Sequence, residues 1–280
     1  MIEIPFAKVE AIGNHFVLIN ALNKLELDWS MLAVQMCQAH FGVGADGLLV
    51  LVPSAKADFG FRMFNPDGTE DMCGNGLRCS AVYVYSNGIS GKNKLTFETM
   101  SGISTAEIIK CEDNSGDVKV NMGKPSLRAA DIPMNADINE VIDFPLEIGG
   151  KVYLVTCVSI GTPHAVIQAP LDFFWKELPA VSRAIESHPI FPKRVNVTWW
   201  SVNKAGELRI RTWERGVGAT LGCGTGACSA LVAANVHGAV GKSANVISPG
   251  GTLYVEWLDQ KDIYITGPAR VVFEGVWVTN

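Results

Sequence analysis

The feature that most limits what this chain can fold into is a duplication. Met72-Cys73-Gly74-Asn75-Gly76 and Gly222-Cys223-Gly224-Thr225-Gly226 place the same Cys-Gly-x-Gly cluster 150 residues apart, each followed by a long apolar run. A cysteine in that setting sits where a tight glycine turn meets the start of a helix. The first N–H groups of a helix have no partner within it, so such a position lowers a thiol's pKa and attracts a carboxylate. The pattern suggests paired thiols acting on one small substrate.

A length of 280 residues with 48% hydrophobic content suffices for two cores, and two domains are expected. The net charge of −5 and the scarcity of Lys/Arg clusters exclude nucleic acid and anionic membrane as partners, since both require a basic face. A small molecule remains. The opening Met1 to Lys8 has no basic start before an apolar stretch, and no run reaches about 18 apolar residues, so a cytoplasmic protein is expected. Seven cysteines, with Cys37, Cys111 and Cys157 inside apolar segments, fit reduced buried thiols better than a disulfide framework.

Strand-like runs dominate both halves: 17–20, 48–52, 59–64, 94–100, 105–111 and 118–122, then 153–159, 165–168, 195–200, 207–214, 253–257, 263–266 and 271–278. Alternation such as Leu208-Arg209-Ile210-Arg211-Thr212-Trp213 favours antiparallel sheet with one wetted face. Helices are expected at 28–40, around Leu178-Val181-Ile185, at 74–85 and at 224–236, the last apolar nearly all round and therefore buried. Each half thus becomes a mostly antiparallel sheet wrapped around one central helix that begins at its cysteine. Glycine and proline in Asn121-Met122-Gly123-Lys124-Pro125 place the boundary between the halves there.

Inverting an α-carbon without a cofactor needs a base on one face, an acid on the other and stabilisation of the planar carbanion. Two cysteines suit this, one as thiolate and one as thiol. The N–H groups at Gly74-Asn75 and Gly224-Thr225 could hold the substrate carboxylate and draw carbanion charge into it. No metal is expected: five and four residues separate Cys73 from Cys79 and Cys223 from Cys228, and Cys79 and Cys228 fall within helices. Gly42-Val43-Gly44-Ala45-Asp46-Gly47 has the letters of a dinucleotide fingerprint but follows a helix and precedes a strand, the reverse of what that motif needs. The second cysteine cluster lacks the lysine of a phosphate loop. His164, in the turn Gly161-Thr162-Pro163-His164, and Glu214, just ahead of Arg215-Gly216, complete a set that could take protons from the thiols.

At these residues the chain resembles the diaminopimelate epimerase family, over essentially its whole length. The likeness is carried by Gly13-Asn14, Gly42 to Gly47, Phe64-Asn65-Pro66-Asp67-Gly68, Met72 to Cys79, Val120 to Gly123, Pro163-His164, Asn196, Glu214-Arg215-Gly216, Cys223 to Cys228 and Thr266 to Ala269. It implies Cys73 and Cys223 as the acid and base pair, assisted by His164 and Glu214, with no cofactor. Asn14, Asn75 and the backbone at Gly74, Gly224 and Thr225 would hold the reacting amino-acid end. Asn65, Asn196 and Arg215, with Thr162, would hold the distal one. The implied fold is two similar α/β domains related by a pseudo-two-fold, 1–121 plus 268–280 and 122–267, with the active site in the cleft between them, and the implied assembly is a homodimer. Thr162 stands where the family usually has Asn, His15 replaces a usual Asp, Ala219 sits where Glu is frequent, and the Asn65 to Cys73 segment is one residue short.

The implied activity is conversion of LL-2,6-diaminopimelate to the meso form by a two-base thiol mechanism. The alternatives are a cofactor-independent racemase of another amino acid, including the proline racemase type, and a binding or structural protein that kept the shape without the chemistry. Asn75, where the proline racemase type resembles Cys-Gly-His, weighs against the first. Two intact thiols with His164 and Glu214 weigh against the second.

Overall fold

The computed structural model describes residues 2–23, 25, 27–170, 178–258 and 261–279. The chain divides into two compact units, Met1–Asn121 with Thr266–Asn280, and Met122–Ile265. In chain order the elements are β1 (Ile2–Ala11), β2 (Asn14–Asn20), α1 (Trp29–Met36), β3 (Gly47–Val52), β4 (Phe59–Phe64), β5 (Glu70–Asp71), α2 (Gly74–Ser86), β6 (Lys94–Thr99), β7 (Gly102–Glu112) and β8 (Ser115–Gly123). There follow β9 (Phe144–Ile148), β10 (Lys151–Ser159), β11 (Pro163–Gln168), α3 (Leu178–Glu186), β12 (Asn196–Val202), β13 (Leu208–Glu214), β14 (Gly218–Thr220), α4 (Gly224–Val236), β15 (Ser243–Ser248), β16 (Gly251–Trp257) and β17 (Ile263–Thr279). The chain leaves the first unit within β8 and returns to it within β17.

In the first unit β1 pairs with β2, β2 with β3, β3 with β4, β4 with β6, β6 with β7 and β7 with β8. The long strand β17 then pairs with both β8 and β1, closing the strands into a barrel. Helix α2 packs on β1, β2, β3 and β7, and its residues 74–82 and Val84 are buried. A closed ring leaves no edge for another chain to pair with, and it gives the enclosed helix apolar neighbours on all sides.

The second unit runs β9–β10–β11–β12–β13–β15–β16, with β14 also on β13. Helix α4 packs on β10, β11, β12, β13, β15 and β16, and every residue from Gly226 to Ala234 is buried. Its Ala, Cys, Ser and Gly side chains are small, so strands can approach closely around it.

Among the described residues pairing is mostly antiparallel, but β2–β3, β4–β6, β11–β12 and β13–β15 are parallel. A parallel pair needs a crossover rather than a hairpin, and α1, α2, α3 and α4 each lie in one of these crossovers. The sheets are mostly antiparallel as expected, with parallel pairs where a helix crosses over. Alternation reports which face of a strand is wet, not which neighbour it chooses. Where a crossover helix covers each face the strand is buried on both, as in β3, apolar throughout and packed by α1 and α2, and in β12, packed by α3 and α4 and buried from Asn196 to Trp200 with Asn196 and Thr198 hydrogen-bonded.

Five strands had no counterpart among the expected runs: β1, β5, β9, β14 and β15. In β1, Pro5 interrupts an otherwise alternating stretch, β5 and β14 are two and three residues long, and β9 and β15 are five and six residues long with few buried apolar residues. Helix α1 is shorter than the expected 28–40. Asp28 caps it by accepting from the Met31 N–H at 3.0 Å, and after Met36 the chain folds back so that Val43 and Gly44 donate to the Met36 carbonyl. The two runs 263–266 and 271–278 are one strand, β17. Among the described residues no helix is long and apolar enough to cross a membrane.

Leu77 in α2 and Leu231 in α4 are both fully buried. Replacing either by Ala is expected to cost about 2–5 kcal/mol in urea unfolding, while Val236→Ala at the exposed end of α4 should cost under about 1 kcal/mol. Equal costs at all three positions would contradict the enclosed placement of the helices.

Candidate active site

Each cysteine of the duplicated clusters is the N-cap of its buried helix. Cys73 has φ −140° and ψ 117°, Cys223 has φ −131° and ψ 113°, and neither side chain caps its own helix. The first helical bonds run from Leu77 N to Cys73 O and from Ala227 N to Cys223 O, each 3.0 Å. The N–H groups of Gly74 to Gly76 and Gly224 to Gly226 therefore precede the first intrahelical donor and give the positive end of the helix dipole beside each sulfur.

Close packing fixes both helix starts. A Cβ on Gly76 would lie 2.9 Å from Leu49 Cδ2, and one on Gly226 would lie 2.7 Å from Thr212 Oγ1 and 3.1 Å from Thr198 Oγ1. Only glycine lets these first turns press against the strands.

Around Cys73 the hydrogen bonds have a set direction. Asp46 Oδ2 accepts from Asn14 Nδ2 at 2.7 Å and from the His15 N–H at 2.9 Å. A carboxylate only accepts, so the Asn14 amide is oriented with its oxygen turned away from Asp46. That oxygen accepts from Asn75 Nδ2 at 3.1 Å and lies 3.8 Å from Cys73 Sγ, placed to accept from the thiol. Arg78, fully buried on α2, donates to Asn75 Oδ1 at 2.8 Å. Beside this line, Lys8 Nζ lies 2.8 Å from His15 Nδ1 and donates to the Gly44 carbonyl. Burial lowers the Lys8 pKa, and Asp46 opposes that shift.

Around Cys223 the network is made mostly of neutral groups. The backbone N–H of Arg215 donates to Asn196 Oδ1 at 2.7 Å, which orients that amide so that Asn196 Nδ2 faces His164 Nε2 at 3.4 Å. Nε2 is thus the acceptor, and the imidazole proton belongs on Nδ1, where it points to Thr198 Oγ1 at 2.9 Å. Thr225 Oγ1 lies 2.9 Å from Nε2 and 3.4 Å from Cys223 Sγ, so its hydroxyl links ring and sulfur. His164 is completely buried, and that burial, with a smaller contribution from the Arg215 charge, pushes its pKa down to about 3. At neutral pH it is an uncharged hydrogen-bonding group.

The structure therefore joins Cys73, Asn14 and Asn75 in one network, and Cys223, Thr225, His164, Asn196 and Arg215 in another. Glu214 ends β13 next to Arg215 and accepts from Thr220 Oγ1 at 2.6 Å. Asn65 donates to Thr69 Oγ1 at 3.0 Å within the loop from β4 to β5. Thr162 is half-buried in the turn after Gly161, two residues before His164. Asp46, Arg78 and Thr198 belong to these networks although sequence reasoning did not select them. Asp46 alone left a signal, a lone acid in the glycine-rich stretch 42–47.

None of the seven cysteines is in a disulfide. Burial raises the pKa of Cys79 and Cys157 far above the ordinary thiol value and that of Cys37 to about 11, so these three pack as protonated thiols. Among the described residues no three His, Cys, Asp or Glu side chains gather as a metal site.

A sequence model of the family described as diaminopimelate epimerase matches residues 6–128 and 156–272. A diaminopimelate epimerase of Pelotomaculum thermopropionicum is 43% identical over 278 residues, covering 96% of this chain and 97% of the relative. One of Halothermothrix orenii is 41% identical over 284 residues, covering 98% and 97%. Among solved structures, a probable proline racemase of Agrobacterium radiobacter matches with a TM-score of 0.71 at 16% identity over 99% of this chain and 93% of that one, a likeness of fold.

Two measurements test the site's construction. Gly226→Ala should destabilise by about 1–3 kcal/mol and impair activity more than Gly76→Ala, since its Cβ meets buried threonine hydroxyls rather than the end of a leucine. Comparable effects of the two would count against the packing described. Because the His164 pKa is lowered from 6.5 to about 3, the unfolded chain binds the extra proton between those values. Stability from this group is complete above about pH 6.5 and lost as pH falls toward 3. His164→Asn should accordingly show a shallower fall of melting temperature across that window, and an unchanged slope would show that the imidazole is not held neutral.

Proposed function

The chain belongs to the diaminopimelate epimerase family, and we propose that it isomerises LL-2,6-diaminopimelate to the meso form by a two-base mechanism on Cys73 and Cys223. The observation that carries this reading is the pair of cysteine N-caps on buried helices, in a chain 43% identical to a diaminopimelate epimerase over nearly its whole length. One sulfur, as thiolate, removes the α-proton. The other, as thiol, returns a proton to the opposite face of the planar carbanion, and the roles exchange in the reverse direction.

The N–H groups of Gly74, Gly224 and Thr225 take the carboxylate of the reacting end and draw charge away from the α-carbon, with Asn14 and Asn75 beside them. Arg215 takes the distal carboxylate in two parallel hydrogen bonds, with Asn65 and Thr162 contributing polar contacts. Asn196 supports this end by holding the Arg215 backbone. His164 serves as a neutral relay to Cys223 through Thr225, and Glu214 stands beside Arg215. The residues themselves supply base, acid and carbanion stabilisation, so no cofactor is invoked.

The finer fold reading is two similar lobes related by a pseudo-two-fold. It is supported by the recurring order β2-α1-β3-β4-β5-α2-β6 and β11-α3-β12-β13-β14-α4-β15, with α2 and α4 each 13 residues long. Exposed Val272, Val276 and Val278, at alternate positions of β17, support a homodimer. A racemase of another amino acid is the second reading, favoured by Thr162, whose hydroxyl is shorter than the amide usual there.

Exchange of the α-hydrogen in heavy water, followed by mass spectrometry, separates these readings. Exchange with LL-diaminopimelate is expected, and exchange only with other amino acids would favour the second reading. Cys73→Ala and Cys223→Ala should each lower inversion by about 10²-fold or more with the fold retained. Native rates in either variant would refute the assignment.

A further inference from the structure

The second unit buries a carboxylate that the proposed reaction does not use. Glu186, the last residue of α3, is 3% exposed. It accepts from Trp213 Nε1 at 2.7 Å and from the Gly216 N–H at 2.8 Å, and it forms an ion pair with Arg194. A buried carboxylate is costly unless donors surround it, so these contacts hold one another in place.

All three donors lie in the two segments that carry Asn196 and Arg215. Arg194 is two residues before Asn196, Trp213 two before Arg215, and Gly216 directly after Arg215. The Arg215 backbone is therefore pinned on both sides, its own N–H by Asn196 Oδ1 and the next N–H by Glu186. Arg194 has φ 60°, a left-handed conformation costly for a residue with a Cβ, and its ion pair to Glu186 offsets that cost. Charge follows the same plan. Arg194 neutralises Glu186, and among the described residues the Arg215 guanidinium makes one hydrogen bond, from Nη1 to the neutral Lys193 carbonyl at 3.2 Å. The Arg215 cation is left available to an incoming carboxylate.

We propose that Glu186 is a positioning residue for substrate recognition, fixing the backbone and charge of Arg215 so that its guanidinium meets the distal carboxylate. The proposal rests on the reading that Arg215 binds that carboxylate. Truncation of Glu186 frees the 213–216 backbone and releases Arg194. The effect falls on binding of the distal end rather than on proton transfer at the thiols.

Steady-state kinetics of Glu186→Ala and Glu186→Gln, with Arg215→Met alongside and circular dichroism melts of each, test this. KM for LL-diaminopimelate should rise about tenfold or more in Glu186→Ala with kcat within about threefold of native. Glu186→Gln should fall between, because its amide oxygen still accepts from Gly216 and Arg194 while its NH₂ faces the donor of Trp213. A merely structural role would lower the folded fraction and apparent kcat with KM unmoved, and that result overturns the proposal. Raised KM in Arg215→Met with native KM in both Glu186 variants overturns the Glu186 role alone. Native KM in Arg215→Met overturns the reading of Arg215 and this proposal with it. If Glu186→Ala does not fold, the KM of Glu186→Gln decides.

Discussion

A helix packed by sheet on every side presents only its ends, and in both units the start of that helix is a cysteine. The first turns of α2 and α4 press so closely on their strands that Gly76 and Gly226 have no room for a side chain. This contact holds the N-cap cysteine in extended backbone and aims the early N–H groups in a fixed direction. Burial of the helices thus supplies both stability and preorganisation: the same apolar contacts that anchor Leu77 and Leu231 also fix the thiols.

The two sulfurs share a backbone setting but not their neighbours. Cys73 lies at the end of a line of charged and amide groups, running from Asp46 to Asn14 and from Arg78 to Asn75. Because Asp46 can only accept, the polarity of the line is settled at that end and leaves an oxygen beside the sulfur. Cys223 belongs to a line settled instead by a donor, the Arg215 N–H, whose effect passes through Asn196 and His164 to the Thr225 hydroxyl. With Nε2 bare, the single Thr225 hydroxyl proton goes to the imidazole, so Thr225 turns a lone pair to Cys223 as the Asn14 oxygen does to Cys73, and both settings suit a protonated thiol. Holding His164 neutral is what permits this. A charged imidazole there would add a cation next to Arg215 in a buried site.

How much of this was legible depended on range. Helices α2 and α4 begin where the Cys-Gly-x-Gly clusters said they would, because capping and apolar runs are local properties. Most strands followed from β-branched runs. The parallel pairings did not, since a strand's partner is chosen by the crossover helix and not by its own alternation. Strand β1 hid behind Pro5, which a strand at this pairing with Val276 tolerates. Among site residues, Cys73, Cys223 and His164 stood out by motif. Thr198 and Glu186 did not, because their partners lie 34 and 30 residues away and a lone threonine or helix-terminal glutamate carries no local mark.

The departures from the family pattern can be weighed by what each touches. An aspartate at position 15 would stand beside Asp46, whose Oδ1 is 3.9 Å from His15 Nε2, and two carboxylates that close repel. The imidazole removes that repulsion and gives Lys8 an acceptor at 2.8 Å, while Asp46 still receives Asn14 and the His15 N–H. The orientation of Asn14 beside Cys73 is therefore preserved. Thr162 has no such compensation in view. It lies two residues before His164 in a turn set by Gly161 at φ 74°, so a longer amide at that position would reach farther than a hydroxyl from the same backbone. Of the two changes, His15 is absorbed by its own neighbours, and Thr162 is the one that, under the proposed function, bears on the distal group.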